Sequence, residues 1–168
     1  MISMFYIIGP RGSGKTTIGK RLAEKTGYQF IDTDKCIVEQ AGMSIAEIVE
    51  QHGWDYFRHL ESDVLKSIQS QDAIVSTGGG IILAPENQQV MRDNGVVIYL
   101  HSTPEILARR LAAEPQAEQR PSLTGKSLLE EIAEVMEQRD PIYLSTAHHV
   151  IDANQSIDAI ISQIANLT

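Results

Sequence analysis

The amino-acid sequence predicts an α/β protein with a three-layer α/β/α fold, a five-stranded parallel sheet flanked by helices and carrying a mobile lid. Three observations predict it. Short apolar runs alternate with amphipathic stretches along the chain, which is the rhythm of strands buried on both faces and of the helices that cross over between them. A glycine-rich segment, Gly9-Pro10-Arg11-Gly12-Ser13-Gly14-Lys15-Thr16, joins the first apolar run to the first amphipathic one. The tract from Glu114 to Gly125 is polar, contains Pro115 and Pro121 and has no apolar period. Loops of that length without structure of their own are often lids or binding loops, and a plain connector is the alternative.

The strands are expected, in order, at Phe5–Ile8, Gln29–Asp32, Ala73–Ser76, Val96–Leu100 and His149–Ile151, each a short run rich in apolar and β-branched residues. Between them, Lys15–Thr26, Trp54–Ser70, Pro85–Asn94, Pro104–Ala113 and Leu128–Tyr143 carry helical spacing, and Ser156–Leu167 closes the chain as a further helix. A shorter helix begins near Ser44, because Ser44-Ile45-Ala46-Glu47 is a capping-box pattern. A chain of 168 residues fits one domain, expected to span 1–168 with the lid at 112–126. Hydrophobic residues at 42% and charged residues at 21% are ordinary for a chain that folds on its own.

Composition also narrows the partners. Fourteen Lys+Arg against twenty-two Asp+Glu give a formal net charge of -8, so the molecule repels polyanions at long range and nucleic acid is not expected. A nucleotide would have to be attracted by a local cluster of cations and backbone N–H groups. Cys36 is the single cysteine, so no internal disulfide can form. The apolar amino terminus is too short to span a bilayer and lacks the flanks of a signal peptide. A cytoplasmic monomer without membrane attachment is expected.

The strongest chemical signal is the Gly9 to Thr16 segment, which satisfies G-x-x-x-x-G-K-[ST] between a strand and a helix and so reads as a phosphate-binding P-loop. Its glycines let successive N–H groups and the helix N-terminus face an anion, Lys15 brings a charge to the β- and γ-phosphates, and the Thr16 hydroxyl can ligate Mg²⁺. The second strand ends in Asp32-Thr33-Asp34, at the edge where doubly wound sheets bind ligands. Strand alternation would point both carboxylates into the crevice, one toward a metal and one toward an acceptor hydroxyl; the alternative is that Asp34 merely caps the next helix. Arg58 and Glu61 are helix neighbours at i,i+3, which is either an arginine oriented for a substrate carboxylate or a solvated ion pair.

The third strand runs into Gly78-Gly79-Gly80, whose bare N–H groups allow close approach by a ligand, with a tight turn as the alternative. Arg120 lies in the lid tract and Arg139 near the end of a predicted helix, where plain solvation and the helix dipole respectively also account for a cation. His148 and His149 would point to opposite faces of a strand, a poor chelating pair, while Cys36, Trp54 and Phe57 read as packing residues.

In combination these motifs resemble the shikimate kinase family of P-loop kinases over nearly the whole chain: the P-loop, D-x-D after strand two, F-R-x-x-E at Phe57 to Glu61, G-G-G, an arginine-bearing lid and R-x-x-x-Y at Arg139 to Tyr143. The resemblance implies transfer of the γ-phosphoryl group of ATP to the 3-hydroxyl of shikimate, a step of aromatic amino-acid biosynthesis, with Mg²⁺ as cofactor. It implies that Gly12, Ser13, Gly14, Lys15, Thr16 and Thr17 hold the nucleotide phosphates, that Arg120 comes down on ATP, and that Gln155 lies by the adenine. It implies that Asp34 holds the reacting hydroxyl, Arg58 and Arg139 the carboxylate, and Gly79 a substrate hydroxyl, with Thr16 and Asp32 on the metal and Lys15, Asp34 and Arg120 carrying catalysis. The sequence departs from many P-loop proteins in having Ser76-Thr77 where a third-strand Asp would stand, so Asp32 must serve the metal. A kinase for gluconate or a nucleoside monophosphate, a GTPase-like switch, and a binding module without catalysis are the competing readings. No N-K-x-D guanine motif occurs, and Lys15, Thr16, Asp32 and Asp34 are present together.

Overall fold

A computed structural model describes residues 4–70, 72–113 and 127–167. Five strands, β1 Met4–Ile8, β2 Gln29–Asp32, β3 Ala73–Ser76, β4 Val96–His101 and β5 His149–Asp152, form an all-parallel sheet in the order β2-β3-β1-β4-β5. The helices are α1 Lys15–Thr26, α2 Thr33–Ala41, α3 Ile45–His52, α4 Trp54–Ser67, α5 Pro85–Asn94, α6 Pro104–Ala113, α7 Leu128–Thr146 and α8 Ile157–Ala165. The expected strands are all found, three of them one residue longer at one end.

Period-two alternation places the core on both faces of the sheet. Met4, Tyr6 and Ile8 of β1 face one way, into a cluster completed by Leu65, Met91, Leu107, Met136 and Tyr143 from α4 to α7. Phe5 and Ile7 face the other way, against Ile18 and Leu22 of α1 and Ile160 and Ile164 of α8. A third cluster, Ile37, Ile45, Ile48, Phe57 and Val64, ties α2, α3 and α4 to one another beyond β2. Because the chain visits β2 and β3 on one side of β1 and β4 and β5 on the other, the loops after β1 and β3 open a crevice at their carboxyl ends.

Helix boundaries also differ from the sequence expectation, α8 ending at Ala165 rather than Leu167. Helix α2 starts at Thr33, directly after β2, and was not delimited by periodicity because it is short. Helix α4 stops at Ser67 rather than Ser70, since Ile68 turns extended and packs between two core clusters. Helix α7 continues through Pro141 to Thr146, where Arg92 Nη1 donates to the Thr146 carbonyl at 3.0 Å and satisfies the open end. Ser156 is the N-cap of α8 rather than its first residue, its side chain accepting from the Ala159 N–H. The expected lid lies outside the described residues apart from Ala112 and Ala113, which end α6.

Candidate functional site

The P-loop leaves β1 and enters α1 through Gly14, whose φ of +94° is a left-handed conformation that strains any residue with a Cβ. Lys15 is largely buried, and its Nζ donates to the carbonyls of Gly9 at 2.6 Å and Pro10 at 2.9 Å, which draws the ammonium onto the floor of the loop. With Gly12, Gly14, Thr16 and Thr17 it lines a cleft whose opposite wall is Asp32, Asp34 and the turn after β3. Thr77 fastens that turn to the first strand, its Oγ1 donating to the Ile7 carbonyl at 2.8 Å.

Both aspartates reach this cleft, but by different routes from strand alternation. Asp32 ends β2 and is itself the N-cap of α2: its Oδ1 accepts from the backbone N–H of Asp34 at 3.0 Å and of Lys35 at 3.3 Å. Asp34 sits in the first helical turn, so the capping role entertained for Asp34 belongs to Asp32. The other Asp32 oxygen, Oδ2, accepts from Thr16 Oγ1 at 3.4 Å. These are hard oxygen donors at the edge of a phosphate loop, a set that suits Mg²⁺ with waters and phosphate oxygens filling its other positions.

The three glycines after β3 have a more specific cause than bare N–H groups. A Cβ on Gly78 would stand 2.7 Å from Asp34 Oδ1 and 2.8 Å from Glu61 Oε2, and one on Gly80 would stand 2.5 Å from Arg58 Cζ. Gly78 and Gly80 are glycine because acidic and basic side chains occupy the space of their side chains, whereas the atoms nearest a Cβ on Gly79 would be backbone, at 3.4 Å and beyond. The Gly78 N–H is spent on Thr33 Oγ1 at 3.2 Å. Gly79 presents its carbonyl to the Tyr143 hydroxyl, which donates to it at 2.5 Å.

A second cavity adjoins the first across Arg11 and Gly79 and is walled by Trp54, Arg58, Arg139 and Tyr143. Arg58 Nη1 lies 3.0 Å from Glu61 Oε1, and Glu61 is only 1% exposed, so this pair is not a solvated surface bridge. Its guanidinium also lies 5.3 Å from the rings of both Trp54 and Phe57. Phe57 is wholly buried core, as expected, whereas Trp54 both packs on Phe57 edge-to-face and faces the cavity. Arg139 is hydrogen-bonded to Tyr143, which relays the contact to Gly79. Burial foremost holds the Arg139 pKa below its usual value, with the nearby Arg58 charge adding to that and Tyr143 and Glu61 opposing it. Burial pushes the Tyr143 phenol up to about 12, so it stays a neutral donor at physiological pH. Two guanidinium groups thus line a cavity in which only Arg58 is paired with the buried carboxylate, an arrangement that favours an incoming anion.

On the far side of the P-loop, Gln155 faces a third cavity together with Gly12, Thr17 and Arg110. Its amide is held by a reciprocal pair with Gln163, at 2.8 and 3.3 Å. Arg110, on the last turn of α6, donates to the Ala153 carbonyl at 3.0 Å and reaches the Gly12 and Ser13 carbonyls at 3.4 Å. Arg120 lies outside the described residues. Arg11 and Arg110 went unremarked in the sequence: the P-loop pattern leaves the Arg11 position open, and the only available signal for Arg110 was its place in the helix before the lid tract. His148 lies apart from the site, its Nδ1 accepting the Val97 N–H at 2.9 Å.

The shikimate kinase family model matches residues 11–168. The chain is 49% identical over 164 residues to shikimate kinase 2 of Sodalis glossinidius strain morsitans, covering 98% of this chain and 94% of that relative. It is 46% identical over 167 residues to shikimate kinase 2 of Yersinia pestis strain Pestoides F, covering 99% and 96%. Among solved structures it is similar to shikimate kinase from Acinetobacter baumannii in complex with shikimate, with a TM-score of 0.92 at 31% identity over 99% of this chain and 93% of that one. A deoxyadenosine kinase from M. mycoides, with a TM-score of 0.62 at 18% identity, shares the fold alone.

Proposed function

The chain belongs to the shikimate kinase family, and from that premise we propose how its residues divide the work of transferring the γ-phosphoryl group of ATP to the 3-hydroxyl of shikimate. The observation that supports this division best is the cavity holding Arg58, Arg139 and Tyr143, joined to the P-loop cleft beside Asp34. Arg58 and Arg139 grip the acceptor carboxylate as charge-assisted donors, and the buried Glu61 holds the Arg58 fork in one orientation. A Gly79 backbone group, fixed by Tyr143, meets an acceptor hydroxyl.

Asp34 orients the 3-hydroxyl and receives its proton as the oxygen bonds to the γ-phosphorus and the bond to the β,γ-bridging oxygen breaks. The P-loop from Gly12 to Thr17 cradles the phosphates, and Lys15 stabilises their charge in the transition state. Thr16 and Asp32 hold Mg²⁺, which when bound neutralises the β- and γ-phosphate oxygens. Gln155 and Arg110 flank the base in the third cavity.

A coupled ADP-release assay over shikimate, gluconate and nucleoside monophosphates tests the acceptor. Turnover with shikimate and little with the others is expected, as is poor turnover of a shikimate analogue lacking the carboxylate. Equal turnover of that analogue would remove the arginine clamp from the mechanism.

A further inference from the structure

The phosphate cleft and the acceptor cavity share two wall residues, Arg11 and Gly79. Gly79 has no side chain, so of the two residues at the junction Arg11 is the one that carries a side chain. The Arg11 main chain is fixed there. Arg11 N lies 3.4 Å from where a Cβ on Gly79 would stand, and the loop around it is tied by Ser13 N donating to the Pro10 carbonyl at 3.2 Å and by the two Lys15 contacts. Among the described residues, the other cations of these two cavities each face one side: Lys15 lines the phosphate cleft, and Arg58 and Arg139 line the acceptor cavity.

Transfer carries a phosphoryl group, with its negative charge, across this junction. Arg58 and Arg139 with Glu61 leave one net positive charge, which the acceptor carboxylate already neutralises. Glu131, in the first turn of α7, also lines the acceptor cavity, so the phosphoryl group arrives where the acceptor-side charge is already balanced, and a cation at the junction would stabilise it. We propose that Arg11 is a catalytic residue that contacts the phosphoryl group during transfer and holds it on the acceptor afterwards, an inference that rests on the acceptor assignment above. Arg11 gains and loses no proton in this step. The acceptor oxygen–phosphorus bond forms, the bond to the bridging oxygen of ADP breaks, and the hydroxyl proton passes toward Asp34. Arg11 follows the charge with its paired N–H donors.

The test compares Arg11→Gln and Arg11→Lys with the intact protein. Trp54 is the single tryptophan and lines the acceptor cavity, so its fluorescence reports binding there. Arg11→Gln is expected to lower kcat and the affinity for shikimate 3-phosphate by about tenfold to a hundredfold, the size of a lost charge-assisted contact. Affinities for shikimate and for ATP should stay within about twofold, and Arg11→Lys should recover much of the loss because it returns the charge. Unchanged kcat and product affinity in a folded Arg11→Gln would overturn the proposal, as would an equal loss for shikimate and its phosphate. If Arg11→Gln does not fold, Arg11→Ala decides: product affinity must fall more than shikimate affinity, or the proposal is lost. Wild-type protein inactive on shikimate would remove the acceptor assignment itself, whereas an active wild type with an unaffected variant removes only the role of Arg11.

Discussion

Gly80→Ala makes a sharp probe of the acceptor cavity, because the substitution adds one methyl group to a residue that need touch no ligand. The added Cβ would stand 2.5 Å from Arg58 Cζ and Nη2, and ordinary contact begins at 3.4 Å, so the guanidinium must move by about 0.9 Å. It cannot do so freely, being held by the buried Glu61 and packed near the Trp54 and Phe57 rings. A displacement of about 1 Å in a positioning group costs up to about a hundredfold in rate. The expected result is a fall of about tenfold to a hundredfold in kcat/KM for shikimate. The KM for ATP should stay nearly unchanged, since Gly80 is not part of the phosphate cleft wall. Steady-state kinetics varying each substrate in turn reads both quantities. A double-mutant cycle isolates the cause: an Arg58→Ala background removes the three atoms nearest the new methyl, so adding Gly80→Ala should cost little. If the two losses simply add, the methyl acts through the backbone of the turn and the steric account of the third glycine is refuted.

Other outcomes follow from the same contacts. Lys15→Met should abolish nearly all turnover while circular dichroism stays native; substantial activity in the folded variant would contradict the P-loop assignment. Asp34→Asn, which keeps size but removes charge, should lower kcat far more than it raises the shikimate KM, as single-turnover and binding measurements would separate. Tyr99→Phe removes the hydroxyl that donates to Asp140 Oδ1 at 2.6 Å beside Arg139, and should cost about 1 kcal/mol in a denaturant titration together with a rise in the shikimate KM. Stability should also depend on His148. Burial first, then the charges of Arg92 and His149, lower its pKa below 6.5 in the fold, and its Nδ1 must stay unprotonated to accept the Val97 N–H. With the folded pKa depressed, this contribution is complete above pH 6.5 and is lost as pH falls through the folded value, because the unfolded chain takes up the proton first. Denaturation midpoints of wild type and His148→Gln should therefore converge on acidification, and parallel curves would exclude the mechanism.

The inner strands β1, β3 and β4 were legible because each is buried on both faces, and an uninterrupted apolar run such as Phe5 to Ile8 has no other use in a chain with this many charges, whereas the edge strands β2 and β5 are partly exposed. The P-loop was legible because phosphate binding constrains residue type at fixed spacing. Long-range neighbours were less so. The glycines of the third turn marked a close approach, but only the fold shows that Asp34, Glu61 and Arg58 make it, arriving from the first turn of α2 and from α4. Asp32 and Asp34 were correctly brought to one cleft for an incomplete reason, since a helix start does what strand alternation was expected to do. Arg11 illustrates the limit of motif reading: its position tolerates any residue for loop formation, so its meaning depends on the cavity beyond Gly79, which α7 supplies from far along the chain.

The charge distribution also follows from these positions. A molecule with a net charge of -8 must bind a polyphosphate, and exposed charges separated by more than about 10 Å are largely screened at physiological salt. The repulsion of the distant acidic surface is therefore weak inside the crevice, where Lys15 and Arg11 face the phosphate cleft and Arg58 and Arg139 the adjoining cavity. Burial works in the same direction, because partly desolvated guanidinium groups gain more from an anion than solvated ones do. It carries its own requirement: burial first, and then the Arg58 charge, lower the Arg139 pKa, and the Glu61 charge opposes that. The buried Glu61 meets that requirement in part, orienting Arg58 without cancelling both charges, and the remaining positive charge is what the proposed clamp would offer to an acceptor carboxylate.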